Sequence, residues 1–94
     1  MTKQEYSAKL DAMCSAKDKL PEGVRILYGQ IDDDVVIQLN DFWCFGIKEA
    51  AQALGMDITW RYLYASTWEA SFMLDGVKVA QLMDECEVPD AQVP

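Results

Sequence analysis

The sequence predicts an α+β domain: an N-terminal helix, a mainly antiparallel sheet of four to five strands built from hairpins, a short middle helix and a C-terminal helix. Three observations predict it. A capped stretch of helical periodicity opens the chain. Short β-branched and aromatic runs follow it, separated by turn signals. The resulting order, α-β-β-(β)-α-β-β-α, is that of an α+β domain with a mainly antiparallel sheet and helices on one face.

The first helix is expected over residues 3–20. Thr2-x-x-Glu5 has capping-box spacing, and Tyr6, Leu10, Met13, Cys14 and Leu20 recur on one stripe. Glu5 and Lys9 stand at i,i+4 in the favourable order, and Pro21-Glu22-Gly23 stops the helix. Val24 to Ile31 and Val35 to Leu39 form a hairpin around Asp32-Asp33-Asp34. After Asn40-Asp41, the run Phe42 to Ile47 is open to two readings, a third strand or a helix start capped by Asp41; Gly46 weakens the second.

Ile47, Ala50, Ala51 and Leu54 share a helical face, with Gly55 as the C-terminal stop. Trp60, Tyr62 and Tyr64 alternate as in a strand, and so do Trp68, Ala70, Phe72 and Leu74. Ser66-Thr67 is expected to turn between them. Ser66-x-x-Glu69 also fits a capping box, but the aromatic and Thr content favours strands. Asp75-Gly76 is a strong turn signal. Val79, Leu82, Met83 and Cys86 then stand at helical spacing, so residues 78–86 are read as a helix, although Val77-Lys78-Val79 would also open a strand. Residues 88–94 are expected to be a frayed tail.

The chain's 94 residues are read as a single domain with one modest core. It has 16 Asp and Glu, 8 Lys and Arg and no histidine. Residues 1–25 carry a net charge of +1 and residues 26–94 a net of −9. Such a body repels phosphate backbones and anionic membranes and attracts basic partners. No apolar run is long enough to span a membrane, and the N-terminus lacks the apolar segment of a signal peptide. Cys14, Cys44 and Cys86 form no CxxC pair, which points to structural thiols in a reducing cytoplasm. Cys14 is expected in the core and Cys44 is expected to be buried between Trp43 and Phe45.

Without histidine the usual proton shuttle at neutral pH is absent, and Ser-His and Cys-His pairs are impossible within the chain. No enzyme activity, metal or cofactor is expected. Asp32-Asp33-Asp34 lacks the spacing of a calcium loop and reads as a solvated hairpin tip. The segment Ile47 to Met56 resembles the first helix and turn of a helix-turn-helix, with Ala51 and Gly55 four apart. The pattern then departs at Arg61, where an inward Val or Ile is usual. Direct nucleic-acid binding is therefore not expected, although a transcription regulator stands as a further alternative.

Trp43, Trp60, Tyr62, Tyr64, Trp68 and Phe72 crowd into thirty residues. A small domain cannot easily enclose so many large rings, and Trp and Tyr dominate binding hot spots. The expectation is a protein that binds, and inhibits, a basic nucleic-acid-processing protein or nucleoprotein complex. An immunity protein, or a phage-encoded inhibitor of a host defence complex such as an anti-CRISPR that mimics DNA, has this size and charge. The candidate contacts are Asp32, Asp33, Asp34, Asp41, Trp43 and Trp60, with Asp84, Glu85 and Glu87 as a second patch. A homo-oligomeric module, with the surplus rings in a self-interface, is the alternative.

Overall fold

The structure, a computed structural model, describes residues 1–40 and 46–92. The order is α1 (Lys3–Lys19), β1 (Arg25–Ile31), β2 (Val35–Asn40), α2 (Ile47–Leu54), β3 (Thr59–Tyr64), β4 (Thr67–Leu74) and β5 (Val77–Asp84), then 3-10 turns at Glu85–Glu87 and Asp90–Gln92. The fold is α+β, and among the described residues no helix is long and apolar enough to cross a membrane. Phe42–Phe45 and Asp41, the run left open between strand and helix, lie outside the described residues.

The five strands are ordered β1-β2-β5-β4-β3. β1–β2, β3–β4 and β4–β5 are antiparallel hairpin pairs, while β2 and β5 run parallel. Because β5 lies between β2 and β4, the last strand is the centre of the sheet. The helix read over residues 78–86 is therefore corrected to a strand. Its apolar residues satisfied both periods: Val79 and Met83 are inward in either. Pairing on both sides settles the choice, burying Val77, Val79, Gln81 and Met83 alternately and leaving Leu82 half exposed.

Both helices cover one face. α1 and α2 pack on a core of Val35, Ile37 and Leu39 from β2, Ala70, Phe72 and Leu74 from β4, and Val77, Val79 and Met83 from β5. Thr2 caps α1, its Oγ1 accepting the Glu5 N–H at 3.1 Å. The predicted stripe of α1 is only partly inward. Ala12, Met13, Ala16 and Leu20 meet the sheet, whereas Tyr6, Leu10 and Cys14 are exposed, so the core role expected for Cys14 is corrected. The helix lies low on β1: a Cβ on Gly29 would sit 2.7 Å from Met13 Sδ. This close approach is why glycine interrupts an otherwise apolar strand.

α2 descends on the sheet through Ile47, Ala50 and Ala51, all buried. Gly55 ends it in the left-handed region at φ 66°. The next element is β3, so the second helix of a helix-turn-helix is absent and that resemblance ends at Gly55. Asp75 and Gly76, at φ 52° and 81°, make the two-residue turn that the sequence predicted. The β3–β4 turn lies one residue earlier than expected, at Ala65-Ser66, with Ala65 at φ 49°. Val88, read as the start of a frayed tail, is buried.

Among the described residues neither helix covers the opposite face. Cross-strand partners place Tyr28, Gln38, Ala80 and Ser71 in one row, Lys78 and Met73 in another, and Leu82, Glu69 and Arg61 in a third. Glu69 Oε1 holds Lys78 Nζ at 2.7 Å and Arg61 Nη2 at 3.4 Å. Arg61 thus joins a charge cluster on the sheet and is not on a DNA-reading helix.

A candidate protein-binding cleft at one end of the sheet

The register separates the two acidic patches. Asp32, Asp33 and Asp34 occupy the β1–β2 tip, at the end of the sheet where β5 begins. Asp84 ends β5 and Glu85 and Glu87 follow it, at the opposite end of the sheet beside the β3–β4 turn; the Glu85 N–H donates to the Ser66 carbonyl at 2.7 Å.

The two ends differ in how far lysines offset them. At the tip, Lys9 Nζ donates to the Asp32 and Asp33 carbonyls and Lys19 pairs with Asp75. α1 thereby lays two cations along that end. At the other end, Lys48 Nζ donates to the Glu87 carbonyl at 2.8 Å and lines a hollow with Glu49 and Glu87. The carboxylates of Asp84 and Glu87 are turned to the chain itself: Asp84 Oδ1 accepts the Cys86 N–H at 3.0 Å, and Glu87 Oε2 accepts the Asp84 N–H at 3.2 Å. These bonds fold the 3-10 turn and hold three acids in one short arc.

Beside that arc is an apolar cleft of about 330 Å³ lined by Tyr62, Ala65, Trp68 and Glu85. Tyr62 and Trp68 are cross-strand partners with ring centroids 5.6 Å apart at 70°, an edge-to-face pair. Tyr62 is 54% exposed and Trp68 only 5%. Trp68 Nε1 is buried and has no hydrogen-bond partner among the described residues. A buried donor left unpaired costs about 1–3 kcal/mol. Ala65 adds backbone strain at the same place, since a non-glycine residue in the left-handed region is disfavoured by about 1–2 kcal/mol. Tyr64, 64% exposed, lies beyond the register shift on the edge strand β3, opposite Thr67.

No family model matches this chain, and no curated protein or solved structure matches it either. Among the described residues no three Cys, Asp or Glu side chains gather as a metal site.

Of the nine residues singled out from the sequence, Glu85 lines the cleft with aromatic rings, and Asp84 and Glu87 stand beside it in the same turn. Asp32, Asp33 and Asp34 are exposed at the far end, without such rings assigned to them. Trp60 is half-buried against the core, with Lys48 Nζ 5.9 Å from its ring centroid. Asp41 and Trp43 lie outside the described residues. The rings of the cleft are Tyr62 and Trp68, both present in the aromatic run but not chosen from it. The signal that would have found them is the Ala65-Ser66 turn, which sets Tyr62 opposite Trp68.

The hydrogen bonds of the arc shift two groups. The Cys86 backbone N–H, and then its thiol, hold the Asp84 carboxyl below the ordinary aspartate value. The same contact, with burial and the charges of Asp84 and Glu87, pushes the Cys86 thiol above the usual cysteine range. A depressed folded-state pKa adds stability above the unfolded value, and that contribution is lost as pH falls through the folded value. The Glu85–Glu87 turn is thus expected to keep its Cys86 amide protected at neutral pH and to lose that protection in acid, below about pH 4. Hydrogen exchange read at the Cys86 amide checks this. A raised pKa keeps the thiol protonated, so peptide-resolved alkylation should modify Cys86 more slowly than free cysteine at the same pH, and Asp84→Ala should accelerate it.

Proposed function

We infer that this protein works by binding, not catalysis, and that its target is a basic protein or nucleoprotein complex engaged at the Glu85 end. The observation that carries the reading is the cleft itself: two aromatic rings beside Glu85, in a short turn that also carries the carboxylates of Asp84 and Glu87. Rings provide desolvated contact and cation–π attraction, while carboxylates steer and pair Lys and Arg. Inhibition of a nucleic-acid-processing partner, with these carboxylates where phosphates would lie, is the form of the proposal that the net charge of −8 favours.

Reversing Asp84, Glu85 and Glu87 to Lys should lower the association rate with a basic partner captured from host lysate by about ten- to a thousandfold at low salt. Reversing Asp32, Asp33 and Asp34 should change it far less. Surface-plasmon kinetics at two salt concentrations measure both. Equal losses from the two triplets would point to diffuse charge, and no loss from the first would reject the site.

Self-association is a second reading, favoured by the sheet face opposite the helices, with Tyr28, Met73 and Leu82 each at least half exposed. Light scattering at micromolar concentration separates the two: a dimer weakened by Leu82→Glu would assign that face to a second copy.

A further inference from the structure

The cleft contains a feature that charge alone does not explain. An arc of acids asks only for cations, yet its neighbour Trp68 is a hydrogen-bond donor that is 5% exposed and lacks an acceptor among the described residues. Buried polar groups are almost always paired, so an orphan in the wall of a cleft marks where a ligand's acceptor fits. A lysine or arginine side chain has no acceptor to offer. The partner must therefore bring both a cation and a carbonyl, and a polypeptide main chain has both in one segment.

We propose that the Tyr62–Ala65–Trp68–Glu85 cleft binds an extended basic peptide segment, with Trp68 Nε1 donating to a backbone carbonyl of the segment and Glu85 pairing its Lys or Arg side chain. The proposal rests on the basic-partner reading and names what that partner presents. A cavity of about 330 Å³ is at the small end of ligand sites, suited to one or two residues and too small for a helix. β3 is an edge strand, so its outer backbone groups are unpaired within the sheet and an extended segment can lie alongside. Tyr62 is the ring that covers Trp68 from the exposed side.

The probe is a fluorescent capped peptide, acetyl-Gly-Arg-Ala-Arg-Gly-amide, with the Glu-for-Arg peptide as control. It is titrated at low salt into wild type, Trp68→Phe and Glu85→Gln, each first shown to be folded by circular dichroism. The Arg peptide should bind the wild type and shift the Trp68 indole N–H resonance downfield. Trp68→Phe, which keeps a ring but removes the donor, should weaken it by about fivefold, and Glu85→Gln should also weaken it. If the Arg peptide binds, loses affinity with Glu85→Gln, but leaves the indole resonance unmoved and binds Trp68→Phe equally, the carbonyl contact is wrong and the basic-partner reading stands. If the Glu peptide binds as well as the Arg peptide, or neither binds, both are overturned.

Discussion

Gln81→Leu is expected to lower the unfolding free energy by about 2–3 kcal/mol, although it makes the core more apolar. Gln81 is 2% exposed in the middle of β5, between Val79 and Met83 on the face that both helices cover. Its Oε1 accepts the Ile47 N–H at 2.8 Å, the first N–H of α2, and its Nε2 lies 3.0 Å from Met83 Sδ. The residue before α2 is Gly46, which has no side chain to cap with; Glu49 Oε2 reaches back to the Gly46 N–H at 3.0 Å. Helix N-termini leave N–H groups that must find acceptors elsewhere, and here one is found on a strand 34 residues away. Leucine fills a similar volume but leaves the buried Ile47 N–H unpaired. Urea denaturation measures the change. An unaltered midpoint with an unaltered slope would mean that α2 is held by apolar packing alone.

The second large effect is expected at Phe72, where alanine should cost about 3–5 kcal/mol. Phe72 is 3% exposed on β4, paired with Val79 of β5 and packed with the core of both helices. At roughly 0.05–0.15 kcal/mol per residue a domain of this length is stable by about 5–14 kcal/mol, so the loss is a large fraction of the whole. Leu82→Ala is the matched control. Leu82 is 50% exposed on the face opposite the helices, and its truncation should stay within about 0.5 kcal/mol. Were residues 78–86 helical, Leu82 would share the inward stripe with Val79 and Met83 and cost several times more. The pair of variants therefore tests the central strand as well as the core. Thermal or urea unfolding reads both, and similar losses from the two would contradict the strand.

Much of this fold is written locally. Thr2 caps α1, Gly55 ends α2, Asp75-Gly76 turns β4 into β5, and the alternation of Trp68, Ala70, Phe72 and Leu74 is that of a strand with one buried face. Each is a statement about a few adjacent residues and the dihedrals they accept. The errors fell where two periods agree over a short run. Val79 and Met83 are four apart, which is one helical turn and also two strand steps, so both readings face them inward. α1 misled for a related reason. Tyr6, Leu10 and Cys14 have helical spacing, but spacing fixes a stripe and not which stripe touches the sheet; the small residues Ala12 and Ala16 allow the closer approach.

The site divides in the same way. Composition marked Asp84, Glu85 and Glu87 as acidic and the run from Trp60 to Phe72 as over-supplied with rings. It had no means of joining them, because Tyr62 and Glu85 meet only when β3 pairs with β4 and the chain after β5 returns to Ser66. Nor could it show that α1 sets Lys9 and Lys19 against the hairpin-tip end, while Lys48 of α2 reaches the Glu87 carbonyl at the other.

By itself the sequence determined the class of the domain, its turns and caps, and an acidic surface. These are short-range properties of dihedral preference, periodicity and charge. Tertiary structure alone decided that the last strand is the central one, that both helices lie on one sheet face, and that Trp68, its indole N–H without a partner among the described residues, lines a cleft with Glu85. Strand order and side-chain juxtaposition depend on contacts between residues far apart in the chain, where the burial of a whole face outweighs the preference of any one segment.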